Sequence, residues 1–105
     1  MPLEYVCNHY DATLTVHLKG ELTYTESETF QNLMDEVRQA PQGSCTLDLR
    51  GLKFIDSAGI GLLLMLKDRA GGKRTHLFEP RDQVAQVLAL TKLETMFDTP
   101  PPASA

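Results

Sequence analysis

Ser57 is the residue in this chain whose type and setting point most directly to chemistry. It stands in Phe54-Ile55-Asp56-Ser57-Ala58-Gly59-Ile60-Gly61, after the alternating segment Cys45-Thr46-Leu47-Asp48-Leu49 and before an apolar run through Leu66. Alternation upstream reads as a strand, and the apolar run of Ile60 and Leu62 to Leu66 reads as a buried helix. Ser57 is therefore expected at or next to a helix N-cap. A hydroxyl there can accept from an orphan backbone N–H, and a phosphate there would meet several such donors and the positive end of the helix dipole.

Other reactive groups lack a constellation. Cys7, Cys45, His9, His17 and His76 show neither Cys-x-x-Cys nor His-x-x-x-His spacing, so no metal site is expected. The two cysteines fall in strand-like segments and are expected to behave as small reduced hydrophobes. Leu14, Val16 and Leu18 take one face of a strand, which turns His17 to the other face with Thr15 and Lys19, toward solvent. A serine between strand and helix also describes a nucleophile elbow, but Ile55 stands where that frame requires glycine, and no triad is implied by His76 and Asp82. The chain is expected not to be an enzyme.

A length of 105 residues sets one domain with a single core, and 42% hydrophobic with 23% charged residues is ordinary for a water-soluble fold. The formal charge of −4 leaves no basic footprint for nucleic acid. Leu62 to Leu66, the longest purely apolar run, is too short to span a bilayer, and Met1 to Tyr5 lacks the features of a signal peptide. A cytoplasmic location without membrane insertion is the expectation.

The elements that must position Ser57 alternate along the chain. Glu4 to His9 and Thr13 to Lys19 predict two strands around a Tyr10-Asp11-Ala12 turn. Thr25-Glu26-Ser27-Glu28 fits a capping box, and Phe30, Leu33, Met34 and Val37 give the spacing of an amphipathic helix over Thr25 to Gln39. Strand three is expected over Cys45 to Leu49, with a turn at Arg50 to Lys53 and with Asp48 as a turn-facing carboxylate. Helix two runs from about Ser57 to Ala70 and stops at Gly71-Gly72. Lys73 to Glu79 predicts a fourth strand, Pro80 the start of a third helix with Val84, Val87, Leu88 and Thr91 inward, and Thr95 to Phe97 a short fifth strand. Pro100 to Ala105 is expected as a polyproline-like or disordered tail, giving a domain over residues 1–98 and a tail over 99–105.

The order β-β-α-β-α-β-α-β implies a hairpin leading into parallel crossover units, and Ser57 falls beyond the carboxyl end of strand three, where such sheets place their sites. Gly59 and Gly61 sit in the first turn of helix two, where each is expected to cost roughly 1 kcal/mol against alanine. Either a close approach of the helix to the sheet or a smooth contact surface around Ser57 would explain them.

Gly20-Glu21-Leu22, Leu47-Asp48-Leu49, the segment Phe54 to Gly61, Gly71-Gly72 and Leu93 to Phe97 together resemble the STAS family, and within it the bacterial anti-sigma factor antagonists. The resemblance runs from about residue 3 to residue 98. It implies a single α/β STAS-type domain with a mixed β-sheet, an N-terminal hairpin plus parallel strands, and helices mainly on one face. The family's phosphoacceptor maps onto Ser57 and its preceding acid onto Asp56.

A partner-switching cycle is what the resemblance implies. The unphosphorylated protein binds an anti-sigma factor that is a serine kinase of the histidine-kinase-like ATPase fold; phosphorylation of Ser57 releases it, and a PP2C-type phosphatase restores it. Partner contacts are then expected from Asp56, Ser57, Ala58, Gly59, Ile60 and Gly61, with the Gly20 to Tyr24 loop nearby. Asp56 would position the hydroxyl, help bind a metal held by the kinase, or cap the helix. No cofactor is implied, and the expected unit is a monomer. STAS domains also serve as accessory or scaffold subunits of transporters and stress-signalling complexes, a reading that implies a constitutive interface. Two positions depart from the family pattern: Lys92 stands where many relatives have glycine, and a proline-rich segment follows Asp98 where many carry a further helix.

Overall fold

In the computed structural model, which describes residues 1–98, strands β1 (Glu4–Tyr10) and β2 (Thr13–Leu22) form the expected hairpin. Asp11, at φ 51°, supplies the left-handed backbone that a two-residue hairpin loop demands. A 3₁₀ turn at Tyr24–Glu26 leads into helix α1 (Ser27–Gln39), whose Phe30, Leu33, Met34 and Val37 are all buried, as their spacing requires. The capping box does not form. Its Thr25 lies inside the 3₁₀ turn and shares a hydroxyl contact with Thr23 at 3.0 Å, while Glu26 occupies the N-cap without a side-chain bond.

Strand β3 (Ser44–Ile55) runs straight through Arg50 to Lys53, where the sequence suggests a turn. Against β2 the register shifts twice, between His17 and Lys19 and between Gly20 and Glu21, and each shift puts an extra residue on β3. These bulges interrupt the alternation that marks a strand, and they rephase the chain so that Leu49, Leu52 and Ile55 are all buried. Gly51 permits the first of them: a Cβ there would come within 2.8 Å of the Leu18 carbonyl oxygen.

Helix α2 (Ser57–Asp68) follows and ends before Gly71 and Gly72, both at positive φ. Strand β4 (Arg74–Phe78) pairs parallel to β3, completing a four-stranded sheet in the order β1-β2-β3-β4. Helix α3 (Asp82–Thr91) starts two residues after Pro80, with Val84 and Leu88 buried, Val87 half-buried and Thr91 exposed.

The fifth strand is absent among the described residues. Leu93–Met96 is a 3₁₀ turn that buries Leu93, with Phe97 buried just beyond it, a four-residue spacing that suits a helical turn and not a strand. Only Asp98 meets the β4 edge, its N–H donating to the Thr75 carbonyl and its carboxylate accepting from the Thr75 N–H, both at 2.9 Å. The tail expected beyond it lies outside the described residues.

One hydrophobic cluster joins Leu14, Val16 and Leu18 of β2 and Cys45, Leu47 and Leu49 of β3 to the inner residues of all three helices. Alternate residues of a strand face opposite ways, so the helices cover one face of the sheet and leave the other to solvent. Cys45 within this core and Cys7 packed against it are free thiols, and burial pushes them up to about 12 and about 11, so both stay protonated near neutrality.

Lys92, which stands where the resemblance leads glycine to be expected, has a glycine-like backbone at φ 55°, ψ 29° as the C-cap of α3. A left-handed non-glycine residue costs about 1–2 kcal/mol, offset in part by the ~0.4–1 kcal/mol of chain entropy a glycine forfeits. Lys92→Gly should therefore raise the melting temperature by roughly 2–4 °C, read by thermal unfolding; an unchanged or lower value would show that the site carries no strain.

Candidate functional site

Three chain segments converge where β3 gives way to α2. Asp56 leaves the strand with extended backbone, and its N–H donates to the carbonyl of Leu22, the last residue of β2, at 3.3 Å. Its side chain then caps the helix: Oδ1 accepts from the Gly59 N–H at 2.8 Å. The other oxygen, Oδ2, accepts from the Tyr24 N–H at 3.2 Å. One carboxylate thus fastens the loop after β2 to the first turn of α2.

Capping therefore belongs to Asp56, and Ser57 is the first residue of the helix proper. The Ser57 side chain is exposed, and its hydroxyl has no hydrogen-bond partner among the described residues. With Gly59 N–H bound to Asp56, the N–H groups of Ser57 and Ala58 remain as orphan donors at the positive end of the helix. This arrangement presents a hydroxyl outward from a backbone environment that favours negative charge.

The two explanations for glycine divide between the two positions. Gly59 is buried against the end of β2, where a Cβ would collide with the Leu22 carbonyl oxygen and lie 2.7 Å from the Ile55 side chain. Gly61 has nothing within 4 Å of the corresponding point, so its lack of a side chain leaves open surface. Ala58, Ile60 and Gly61 are half-buried. Of the six expected contact residues, Gly59 is thus placed to shape the backbone and not to touch a partner.

Sequence reasoning placed the Gly20 to Tyr24 loop nearby but gave no role to Tyr24, whose ring is 72% exposed beside the serine motif. It missed Gln83 altogether. From α3 the Gln83 amide accepts from Ile55 N–H at 3.0 Å and donates to Ile55 carbonyl at 2.9 Å, pairing the last residue of β3 as a neighbouring strand would. A glutamine in an amphipathic helix carries no signal of such a contact.

Asp48 departs from its expected place. It is 5% exposed in the middle of β3 and faces no turn. Its carboxylate accepts from the Arg50 N–H, Nε and terminal amine at 3.1, 3.0 and 2.8 Å, and from His17 Nδ1 at 2.8 Å. His17 lies on the expected open face, but half-shielded and bonded also to Asn8 at 3.0 Å. Among the described residues no cluster of His, Cys, Asp and Glu is arranged to hold a metal, and no helix is long and apolar enough to cross a membrane.

A mixed sheet of this topology, with Ser57 opening a helix at the carboxyl end of a parallel strand, describes a small α/β domain. The family profile described as "Mlab, STAS domain" matches residues 7–98. An anti-sigma F factor antagonist of Paenibacillus polymyxa is 30% identical over 104 residues, covering 93% of this chain and 89% of that one. A STAS-domain containing protein of Pseudomonas aeruginosa is 29% identical over 86 residues, covering 80% and 84%. Among solved structures, the anti-sigma factor antagonist SpoIIAA superposes in its unphosphorylated form with a TM-score of 0.73, covering 94% of this chain and 90% of that one at 20% identity. The phosphorylated form of the Bacillus protein gives 0.65 with 94% and 93% covered, also at 20% identity, a likeness of fold. This chain belongs to the STAS domain family, with relatives named anti-sigma factor antagonists.

Two sets of substitutions test the geometry. Asp56→Ala removes a cap worth about 1 kcal/mol together with the tether to Tyr24, so the melting temperature should fall by at least ~4–8 °C. Gly59→Ala, which must displace backbone, should destabilise by ~1–3 kcal/mol, whereas Gly61→Ala should be neutral or stabilising. Equal effects at the two glycines would contradict the close approach.

The pH dependence follows from Asp48. Hydrogen bonding from Arg50 holds its carboxyl well below the usual carboxylate range, against the opposing effect of burial. A carboxyl depressed in the folded state adds stability above its unfolded value, near 4, and loses it as the pH falls toward the folded value. Asp48→Asn should flatten the acid limb of stability measured by denaturant unfolding between pH 2 and 6; an unaltered limb would remove Asp48 from that role.

Proposed function

We propose that this protein is an anti-sigma factor antagonist working by partner switching, with Ser57 as its phosphoacceptor. The observation that carries the reading is the exposed Ser57 hydroxyl, without a hydrogen-bond partner among the described residues, on a helix start whose capping is already performed by Asp56. A residue whose side chain does nothing for its own fold is available to another protein's active site. The relatives' names support the antagonist role.

In this scheme the contact surface comprises Ser57, Ala58, Ile60 and Gly61, with Asp56 and Gly59 holding the backbone beneath them. The partner is an anti-sigma factor serine kinase of the histidine-kinase-like ATPase fold, and a PP2C-type phosphatase reverses its action. Phosphorylation adds roughly −1.5 to −2 charges beside Asp56. Within the domain, the orphan donors of the first turn accommodate that charge. At a docked surface that fitted a hydroxyl, the phosphate must be desolvated, so binding weakens while the fold survives. Asp56 acts here as a fastener, because both of its oxygens already accept backbone N–H bonds.

Bait carrying Ser57→Ala, expressed in its native cells, should retain the kinase partner for identification by mass spectrometry. Titration of that partner should then show Ser57→Asp binding at least about tenfold more weakly than Ser57→Ala, about 1.4 kcal/mol, with both variants unfolding within ~0.5 kcal/mol of the parent. Equal binding by the two variants, with no phosphate on Ser57 in native cells, would refute the switch and favour a constitutive scaffold or transporter subunit.

A further inference from the structure

On the sheet face turned away from the helices, His17, Lys19, Arg50, Lys53 and Arg81 line one open cleft of about 420 Å³ together with Asp48. The chain carries −4 overall, yet this cleft gathers four permanent cations against one carboxylate within it. Lys19 and Lys53 are exposed and have no acidic group within 4.0 Å among the described residues, while Arg81 reaches Glu79 at 3.7 Å.

Arg50 is held in place here. Its Nε and one terminal nitrogen engage Asp48 side by side, and its Cζ lies 5.2 Å from the centre of the Phe78 ring. Such a fork, bound along one edge and stacked on a ring, keeps its remaining N–H groups pointing at a fixed place. The Asp48 carboxylate is buried while the Arg50 side chain is 47% exposed, so the pair anchors one edge of a guanidinium that also lines the open cleft. Two further clefts lack this character: one of about 460 Å³ between α1 and α2 balances Asp35 and Asp68 against Arg38 and Arg69, and one of about 770 Å³ over β1 and β2, lined by Cys7, Asn8, His9, Tyr10, Thr15 and His17, holds no lysine or arginine.

We propose that this cleft is a binding site for a small multivalent phosphate-bearing anion, oriented by Arg50 and attracted by Lys19, Lys53 and Arg81. The negative charge of the whole chain opposes long polyanions and anionic surfaces, and so favours a small molecule. The site is separate from Ser57 and requires no phosphorylation there.

Inorganic pyrophosphate is the probe, titrated calorimetrically into the full chain at 0.1 M salt, with amide shifts followed by NMR. Saturable binding with shifts at Lys19, Arg50 and Lys53 is expected, weakened at least about tenfold by Lys19→Gln with Lys53→Gln, two exposed changes that leave the fold intact. Arg50→Lys, which keeps the charge but loses the fork, should also weaken it. Ser57→Ala should leave binding unchanged, which separates this test from that of the switch. Absence of binding, equal binding by the double variant, or association only with vesicles containing phosphatidic acid would each overturn the proposal.

Discussion

The close contact between Gly59 and the carbonyl of Leu22 is the constraint around which the end of this domain that carries Ser57 is arranged. Helix α2 can begin where it does only because no side chain intervenes between its first turn and the end of β2. That proximity lets one residue, Asp56, reach both the helix N–H groups and the Tyr24 backbone, and lets its own N–H meet Leu22. An outward shift of α2 together with its cap would strain the two bonds that cross to the β2 end, from the Tyr24 N–H and to the Leu22 carbonyl. The position of Ser57 is thereby set by backbone packing and by a neighbour's carboxylate, while its own hydroxyl stays uncommitted among the described residues.

This division of labour suits a covalent signal. A serine that capped its own helix would, once modified, lose a bond worth about 1 kcal/mol and loosen the element that presents it. Because Asp56 does the capping, modification of Ser57 changes surface charge without unfastening the helix. The sheet beneath is equally indifferent, since Gln83 closes the end of β3 at Ile55 from α3.

Strand β3 links the two faces of the molecule. Its bulges turn Leu49, Leu52 and Ile55 toward the helices while Arg50 and Lys53 turn outward beside Asp48. A regular strand of the same twelve residues would send alternate side chains to each face throughout and would not group the cations in this way. The same irregularity hides the strand from a reading based on period, which is why Arg50 to Lys53 resembles a turn.

By itself the sequence determined what depends on local pattern: the hairpin, the inner face of α1, the limits of α2 at Ser57 and before Gly71, the β4 strand and the family motif around the serine. Those signals are periodicities and breakers, and each is complete within a dozen residues. Tertiary structure alone decided what depends on partners distant in the chain. Thr25 lost its capping role to a 3₁₀ turn, Thr95 to Phe97 lost its strand to a spacing that buries Leu93 and Phe97, and Asp48 met His17 across 31 residues. Ser57 shows the boundary best. Its place at the start of a helix could be read from the chain, but its free hydroxyl could not, because that follows from Leu22, Tyr24 and Asp56 meeting in space.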